Sequence, residues 1–207
     1  MNRPPVVDLR PYFLTLNDLT GPLAWSVLFG NANPVEIDVG CGRGLFLFSA
    51  STSNPAVNYL GLELDYHEGR RAARRLWKRS LPNARVLGGD ARIALAKFVP
   101  SHSVDAVHVY FPDPWWKRRH KRRRLFTDEF VDLAAGVLKR GGLLHSWTDV
   151  EEYFGVICAL MDHHAEFEAL PPPVESAPAH DLDYRTSFER KKRQLGATIS
   201  RGLWRRR

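Results

Sequence analysis

Hydrophobic and polar positions follow two alternating patterns along the chain. Short runs rich in β-branched residues, such as Val35–Val39 and Val104–Tyr110, predict buried strands. Longer segments with helical periodicity, such as 66–80 and Glu151–His163, predict helices. Because predicted strands and helices alternate, we expect βαβ units built around a mostly parallel sheet. Further strands are predicted at 58–64, 85–87 and 143–147, and further helices at 45–50, 92–98 and 128–138.

The C-terminal part departs from this alternation. The Gly141-Gly142 pair indicates the end of the helix that precedes it, and three consecutive prolines at 171–173 interrupt the chain. Residues 195–200 are interpreted as a last strand, antiparallel and at the edge of the sheet. The predicted fold class is therefore α/β, with one doubly wound, mostly parallel sheet and an antiparallel C-terminal edge strand.

Length and composition fit one globular domain. The chain has 207 residues, and neither an internal repeat nor a long linker divides it. We therefore expect one domain over 1–207, in which 1–33 form an N-terminal extension and 34–207 form the core. Cys41 and Cys158 are the only cysteines, so a disulfide framework is not expected. The lack of a leader-like or membrane-length apolar run favours a cytoplasmic protein without a membrane partner.

Net charge is the first indication of a partner. The chain has 30 Lys and Arg against 23 Asp and Glu, which gives a net charge of +7. A basic protein attracts polyanions through counterion release, which favours a nucleic-acid partner over a charge that serves solubility alone. Basic residues concentrate in four segments, at 70–78, 117–124, 190–193 and 201–207.

A glycine-rich turn directly follows the first strong strand. Its sequence, Gly40-Cys41-Gly42-Arg43-Gly44, has glycine at alternate positions. Such a turn lets the backbone approach a ligand closely, and in doubly wound folds it is typical of a nucleotide-like ligand. The spacing lacks the third glycine position of the dinucleotide fingerprint, which disfavours a nicotinamide dehydrogenase.

Acidic residues stand at the ends of three successive predicted strands. Asp38 is placed near a ligand's ammonium group, Glu63 near ribose hydroxyls, and Asp90 near an adenine amino group. Each acid alone is better explained as a helix cap or a solvated loop residue. The three together resemble the class I S-adenosylmethionine-dependent methyltransferases.

The most specific segment follows the strand Val104–Tyr110. Pro112 and Pro114 fix the backbone around Asp113, so this carboxylate is predicted at the catalytic edge of the sheet. Trp115 and Trp116 offer faces on which a base can stack. Seven of the eight residues from Lys117 to Arg124 are Lys or Arg, which suits phosphate contacts. The alternative is that the tryptophans are core residues and the basic run is a solvated face.

Further motifs accompany this segment. They are Lys117, Arg119-His120 and Arg123-Arg124 after Phe-Pro-Asp-Pro-Trp, then Thr148-Asp149 with Tyr153, and finally Thr186-Ser187-Phe188-Glu189-Arg190. Over roughly residues 35–190, these motifs resemble the bacterial tRNA (guanine-N7)-methyltransferase family, whose members have the Rossmann-like fold of class I methyltransferases.

The resemblance implies a cofactor, a substrate and residues for both. The cofactor is S-adenosylmethionine and the partner is tRNA, methylated at N7 of guanosine 46 in the variable loop. Implied cofactor contacts, beside the turn glycines Gly40, Gly42 and Gly44, are Asp38, Glu63, Asp90 and Asp113. Implied guanine or tRNA contacts are Lys117, Asp149, Thr186, Ser187, Phe188 and Glu189. The family usually has Glu where this chain has Asp38, and the shorter acid changes the reach of that contact.

The implied chemistry assigns Asp113 an electrostatic and orienting role. Guanine N7 carries an in-plane lone pair, so attack on a methyl sulfonium needs positioning rather than a strong base.

The alternative functions are those of a class I methyltransferase for another RNA base or a small molecule, and of a catalytically silent RNA-binding module. His163-His164 has no further ligands at metal spacing, so no metal is expected. Both a monomer and a homodimer are compatible with the sequence.

Overall fold

The computed structural model describes residues 7–173 and 186–207, and in these residues eight strands form one sheet. The strands are β1 (Phe13–Thr15), β2 (Val35–Val39), β3 (Asn58–Glu63), β4 (Ala84–Gly88), β5 (Val104–Tyr110), β6 (Leu138–Thr148), β7 (Phe167–Leu170) and β8 (Ser200–Arg206). The helices are α1 (Trp25–Phe29), α2 (Leu45–Ser53), α3 (Tyr66–Trp77), α4 (Ala91–Lys97), α5 (Asp128–Val137), α6 (Glu151–His163) and α7 (Ser187–Gln194). Two 3-10 helices, Leu16–Asp18 and Arg118–Arg123, complete the regular structure of these residues.

The sheet has the order β1-β4-β3-β2-β5-β6-β8-β7. Strands β1 to β6 pair in parallel, and β8 pairs antiparallel with both β6 and β7. After β2 the chain adds β3 and β4 on one side, and then returns to add β5 on the other. This reversal places a topological switch point between β2 and β5, where doubly wound folds open a crevice at the carboxyl ends of their strands.

The central strands are buried on both faces by helices. Ile37 of β2 and Val107 of β5 are fully buried. One apolar cluster packs these strands against α5 and α6 through residues such as Phe130 and Ile157. A second cluster on the opposite face includes Leu47 of α2. Burial on both faces explains why the central strands are nearly continuous apolar runs, as parallel sheets require.

The predicted fold class is confirmed, and two details of the prediction were wrong. The Gly141-Gly142 pair does not end a helix: α5 ends at Val137, and both glycines lie inside β6. The antiparallel C-terminal strand begins at Ser200 rather than at 195, and it is not the edge strand, because β7 pairs along its outer side. The residues before it instead form α7 and a short connection.

The segment before residue 34 contributes to the same sheet. Phe13, Leu14 and Thr15 of β1 pair in parallel with β4, at the edge of the sheet opposite β7. Phe13 is buried against α3, where Gly69 leaves room for its ring. The described part of this N-terminal extension is therefore packed on the core rather than detached from it.

Candidate active site

A cavity of about 650 Å³ opens at the carboxyl ends of β2 and β5. Four parts of the chain enclose it: the glycine turn before α2, the loop after β5, the first turns of α7, and the two residues between β6 and α6. Its lining residues are Asp38, Gly40, Cys41, Gly42, Arg43, Leu45, Phe46, Tyr110, Phe111, Pro112, Asp113, Pro114, Trp116, Asp149, Val150, Thr186, Phe188, Lys191 and Lys192.

The glycine turn adopts a backbone conformation that residues with side chains rarely adopt. Gly40, Gly42 and Gly44 have φ values of +77°, +52° and +67°. A Cβ on Gly44 would lie 2.7 Å from the Cβ of Ala72, so glycine lets α2 begin in close contact with α3. Glu63 fixes the turn further, because its Oε2 accepts a hydrogen bond from the Gly42 backbone N–H at 2.7 Å.

Asp38 is a buried carboxyl group that faces this cavity. It is only 4% exposed, and within the described residues its side chain accepts no hydrogen bond and forms no ion pair. Burial, together with the negative charge of Glu63, raises the pKa of Asp38 to about 8. Since the charged form of Asp38 lacks a partner, a cation that enters the cavity would favour its ionisation.

Glu63 is the last residue of β3, and Asp90 lies two residues after the end of β4 at the same edge of the sheet. Neither lines this cavity. Glu63 also accepts a hydrogen bond from the Asp65 backbone N–H. Asp90 caps α4 by accepting from the Arg92 backbone N–H, and its other oxygen lies 2.9 Å from the Arg92 guanidinium. The side-chain hydrogen bonds from Arg92 lower the pKa of Asp90. In this structure both acids hold local backbone. For Asp90 this is the helix-capping role considered as the alternative, whereas Glu63 is not a cap, because Asp65 caps α3.

Asp113 is exposed at the rim of the cavity on a constrained loop. Phe111 and Trp115 on either side have φ values of +53° and +41°, in a region that bulky residues rarely adopt. Phe111 donates its N–H to the Trp147 carbonyl at 2.7 Å, which attaches the start of the loop to the end of β6. The Asp113 carboxylate has no hydrogen bond within the described residues, so it is available to a ligand.

Two arginines of the basic run contact this loop. Arg124 donates from Nε to the Pro114 carbonyl at 2.7 Å, and its guanidinium lies 4.9 Å from the centre of the buried Tyr153 ring. The Arg123 guanidinium lies 5.1 Å from the centre of the Trp115 ring. These contacts give Arg123 and Arg124 a structural role in the loop, and the phosphate contacts expected of the run stay a prediction. Trp116, which is 56% exposed and lines the cavity, offers the free aromatic face.

Helix α7 closes the third side of the cavity. Thr186 caps it by accepting a hydrogen bond from the Glu189 backbone N–H at 2.9 Å. Phe188 is 46% exposed and packs against Phe111, with 5.1 Å between the ring centres. The Glu189 carboxylate is buried and pairs with Arg193 at 2.9 Å. Thr186 and Phe188 thus line the cavity, whereas Glu189 lies behind it, and the described residues include only the backbone of Ser187.

Asp149 and Lys117 are the two remaining residues that were predicted to contact the substrate. Asp149 lines the cavity as expected, and its Oδ2 lies 2.7 Å from the Lys192 ammonium. Lys117 is exposed and lies outside the lining. The sequence indicated Lys192 only as part of the basic segment 190–193, and no local pattern indicated that it would meet Asp149.

The structure has the fold of the class I methyltransferases. It superposes on the 16S rRNA methyltransferase KamB with a TM-score of 0.62 at 16% identity, covering 84% of this chain and 88% of that one. It superposes on TrmN from Thermus thermophilus with a TM-score of 0.60 at 19% identity, covering 85% of this chain and 45% of that one. At these identities the similarity concerns the fold.

The sequence comparisons identify the family. Residues 32–201 match the family model described as "Putative methyltransferase". The chain is 40% identical over 209 aligned positions to the tRNA (guanine-N(7)-)-methyltransferase of Rhodopirellula baltica, covering 98% of this chain and 77% of that protein. The chain belongs to the tRNA (guanine-N7)-methyltransferase family.

Proposed function

We infer that this protein transfers the methyl group of S-adenosylmethionine to N7 of a guanosine in tRNA, and we propose guanosine 46 of the variable loop as its target. The inference is carried by the cavity that joins Asp38, which is buried and has no partner within the described residues, to the exposed Asp113 and the aromatic faces of Trp116 and Phe188. One wall suits a cationic cofactor, and the opposite rim suits a base. The relatives support the reaction and the substrate.

The proposed binding site of S-adenosylmethionine lies at the glycine turn. Asp38 is the proposed partner of the cofactor's ammonium group, because it is a buried acid beside the turn with no protein partner within the described residues. Glu63 and Asp90 are proposed for the ribose and the adenine, at the ends of the two neighbouring strands. A carboxylate has about four acceptor positions, so each keeps capacity beyond the hydrogen bonds it already accepts. When bound, the cofactor supplies a methyl group on a sulfonium centre.

Asp113 is the proposed catalytic residue. The N7 lone pair of guanine attacks without prior deprotonation, and methylation leaves a positive charge on the purine. A fixed carboxylate beside the base stabilises this developing charge and costs no reorganisation, because the loop already holds it in place. Stacking on Trp116 and Phe188 is proposed to hold the base in line with the methyl group, at about 1–3 kcal/mol for each stacked face.

The proposed tRNA contacts lie on the exposed part of the basic run. Lys117, Arg119 and Arg122 are exposed next to the rim, and Lys191 is exposed at its other side. These cations suit the phosphates of a folded RNA, whose binding gains from counterion release. The exposed face of α3, which includes Arg70 and its basic neighbours at 71 and 74, is a second candidate contact for the same reason.

The proposed location is the cytoplasm, where a tRNA substrate is present. No helix in residues 7–173 and 186–207 has the length and apolar character that crossing a membrane requires. Across the same residues, no group of three or more His, Cys, Asp or Glu side chains is arranged to hold a metal ion.

The decisive experiment is a methyl-transfer assay with labelled S-adenosylmethionine and unmodified tRNA transcript, followed by nucleoside mass spectrometry. We expect 7-methylguanosine, and we expect it to be lost from a transcript that carries adenosine at position 46. An Asp113→Asn variant that still binds cofactor is the matched control, and it should lose most turnover. A methyl group on another nucleoside would contradict the proposed reaction, and 7-methylguanosine that survives the position 46 replacement would contradict only the proposed target.

A further inference from the structure

A lysine and an aspartate meet inside the proposed base pocket. The Lys192 ammonium lies 2.7 Å from Asp149 Oδ2, and the two side chains are 31% and 12% exposed. The same ammonium lies 5.1 Å from the centre of the Phe188 ring, the aromatic face proposed to stack on the base. All three side chains line the cavity. The pair therefore lies in the cavity beside the ring on which the base is proposed to stack.

The pair presents a donor and an acceptor side by side. An ammonium only donates hydrogen bonds, and an ionised carboxylate only accepts them. Guanine carries the acceptor O6 next to the donor N1–H. Adenine carries the reverse, a 6-amino donor next to an acceptor N1. A fixed lysine–aspartate pair thus matches the guanine edge. It opposes the adenine edge, which would place a donor against the ammonium and an acceptor against the carboxylate.

We propose that Lys192 and Asp149 together read the target base, with the Lys192 ammonium donating to O6 and the Asp149 carboxylate accepting from N1–H. This assignment rests on the proposed function and names the residues that select guanine. N7 lies on the other side of O6 from N1, so both contacts leave the attacking lone pair free. Because the carboxylate neutralises the ammonium, the pair adds little net charge against the cation that forms on the purine.

Lys191, the neighbour of Lys192 on α7, shows how Lys192 differs from a lysine that contacts phosphate. Lys191 also contributes to the cavity lining, but it is exposed on the helix, as a side chain that meets an RNA backbone should be. Lys192 is turned inward onto Asp149 and over Phe188. A lysine that served the backbone alone would gain nothing from an acidic partner, which weakens its attraction to phosphate.

The test compares two bases in wild type and in Lys192→Met. The substrates are tRNA transcripts that carry guanosine or 2-aminopurine riboside at the nucleotide that the wild type methylates. The analogue keeps N7 and the 2-amino group, but it lacks O6 and N1–H. Wild type should prefer guanosine in kcat/KM, and Lys192→Met should reduce this preference about 10-fold or more, the usual loss for a hydrogen bond to a charged group. Lys192→Arg keeps a donor and should retain most of the preference.

The control is Lys97→Met, which removes an exposed lysine at the end of α4, away from the cavity. Its kcat/KM for both substrates should match that of the wild type. If Lys192→Met lowers kcat/KM equally for both bases, or if the wild type shows no preference, the proposed reading is overturned while the proposed function stands. If the wild type forms no 7-methylguanosine on the guanosine transcript, the proposed function fails and the reading fails with it. Cofactor binding by each variant verifies that it is folded.

Discussion

Replacing Asp38 by Asn should stabilise the cofactor-free protein and weaken its hold on the cofactor. Asp38 is buried without a partner within the described residues, and its pKa is raised from 3.8 to about 8. A folded-state pKa above the unfolded one means that the stability from a protonated Asp38 is complete below about pH 4 and declines as the pH rises to about 8. At about 1.4 kcal/mol per pKa unit, the free energy of unfolding of the wild type is about 4 kcal/mol lower at pH 7 than it would be if Asp38 did not ionise. Asn remains neutral and does not incur this loss.

Urea unfolding of the cofactor-free proteins between pH 4 and pH 8 measures this difference. The Asn variant should gain little near pH 4 and about 4 kcal/mol at pH 7, because only the wild type must ionise a buried group. An Asp162→Asn variant, which changes an exposed acid of α6, should show no such gain. An Asp38→Asn variant that is less stable than the wild type at pH 7, or a difference that does not change with pH, would refute the reasoning.

Calorimetric titration with the cofactor measures how the raised pKa of Asp38 affects cofactor binding. A cation binds the ionised carboxylate, so below about pH 8 cofactor binding must release a proton from Asp38. The affinity of the wild type should therefore rise with pH, by up to about 10-fold per unit, and level off near pH 8. The Asn variant should bind more weakly, with little dependence on pH over the same range.

Three further predictions concern the loop, the glycine turn and the basic run. Asp113→Asn should keep cofactor affinity within a few-fold and lower kcat about 100-fold or more, measured by single-turnover methylation; near-normal turnover would remove Asp113 from the mechanism. Gly44→Ala should cost about 2–4 kcal/mol in urea unfolding, because it adds both a strained φ and a steric clash, whereas Gly155→Ala, with open space at its Cβ, should be neutral or stabilising. Arg124→Lys should lower kcat at unchanged salt dependence, whereas Arg122→Met should weaken tRNA binding and flatten its salt dependence; the same response in both variants would contradict their separate roles.

The pattern of hydrophobic and polar residues was sufficient to predict the central strands and helices. The strand Val104–Tyr110 and the helix Glu151–His163 were predicted with the bounds that the structure gives them. Both carry long apolar patterns, because a central strand is buried on two faces and α6 covers one of them. The elements missed are short and lie at the periphery. Neither β1, which has three residues, nor the charged helix α7 carries enough apolar periodicity to predict it.

The Gly141-Gly142 prediction failed for a related reason. The pair follows a helix and matches the usual signal for its end, but here Leu138 already adopts extended backbone and β6 begins there. Gly142 is instead required by close packing, because a Cβ on it would lie 2.9 Å from the Lys139 carbonyl oxygen. The local sequence shows that glycine occurs here, but the reason for it depends on which backbone atoms lie nearby in the folded structure.

For the site, the sequence by itself indicated the residues that lie at the end of a strand or in the loop after it. Asp38, the glycine turn and Asp113 could be predicted because parallel strands bring their carboxyl ends to one edge, so order along the chain fixes their place. Only the tertiary structure decided that Arg124 supports the Asp113 loop and that Lys192 meets Asp149, 43 positions apart in the chain. Such contacts depend on how a peripheral helix or loop packs against the sheet. That packing is set by the shapes and charges of distant surfaces, which no local pattern of hydrophobic and polar residues encodes.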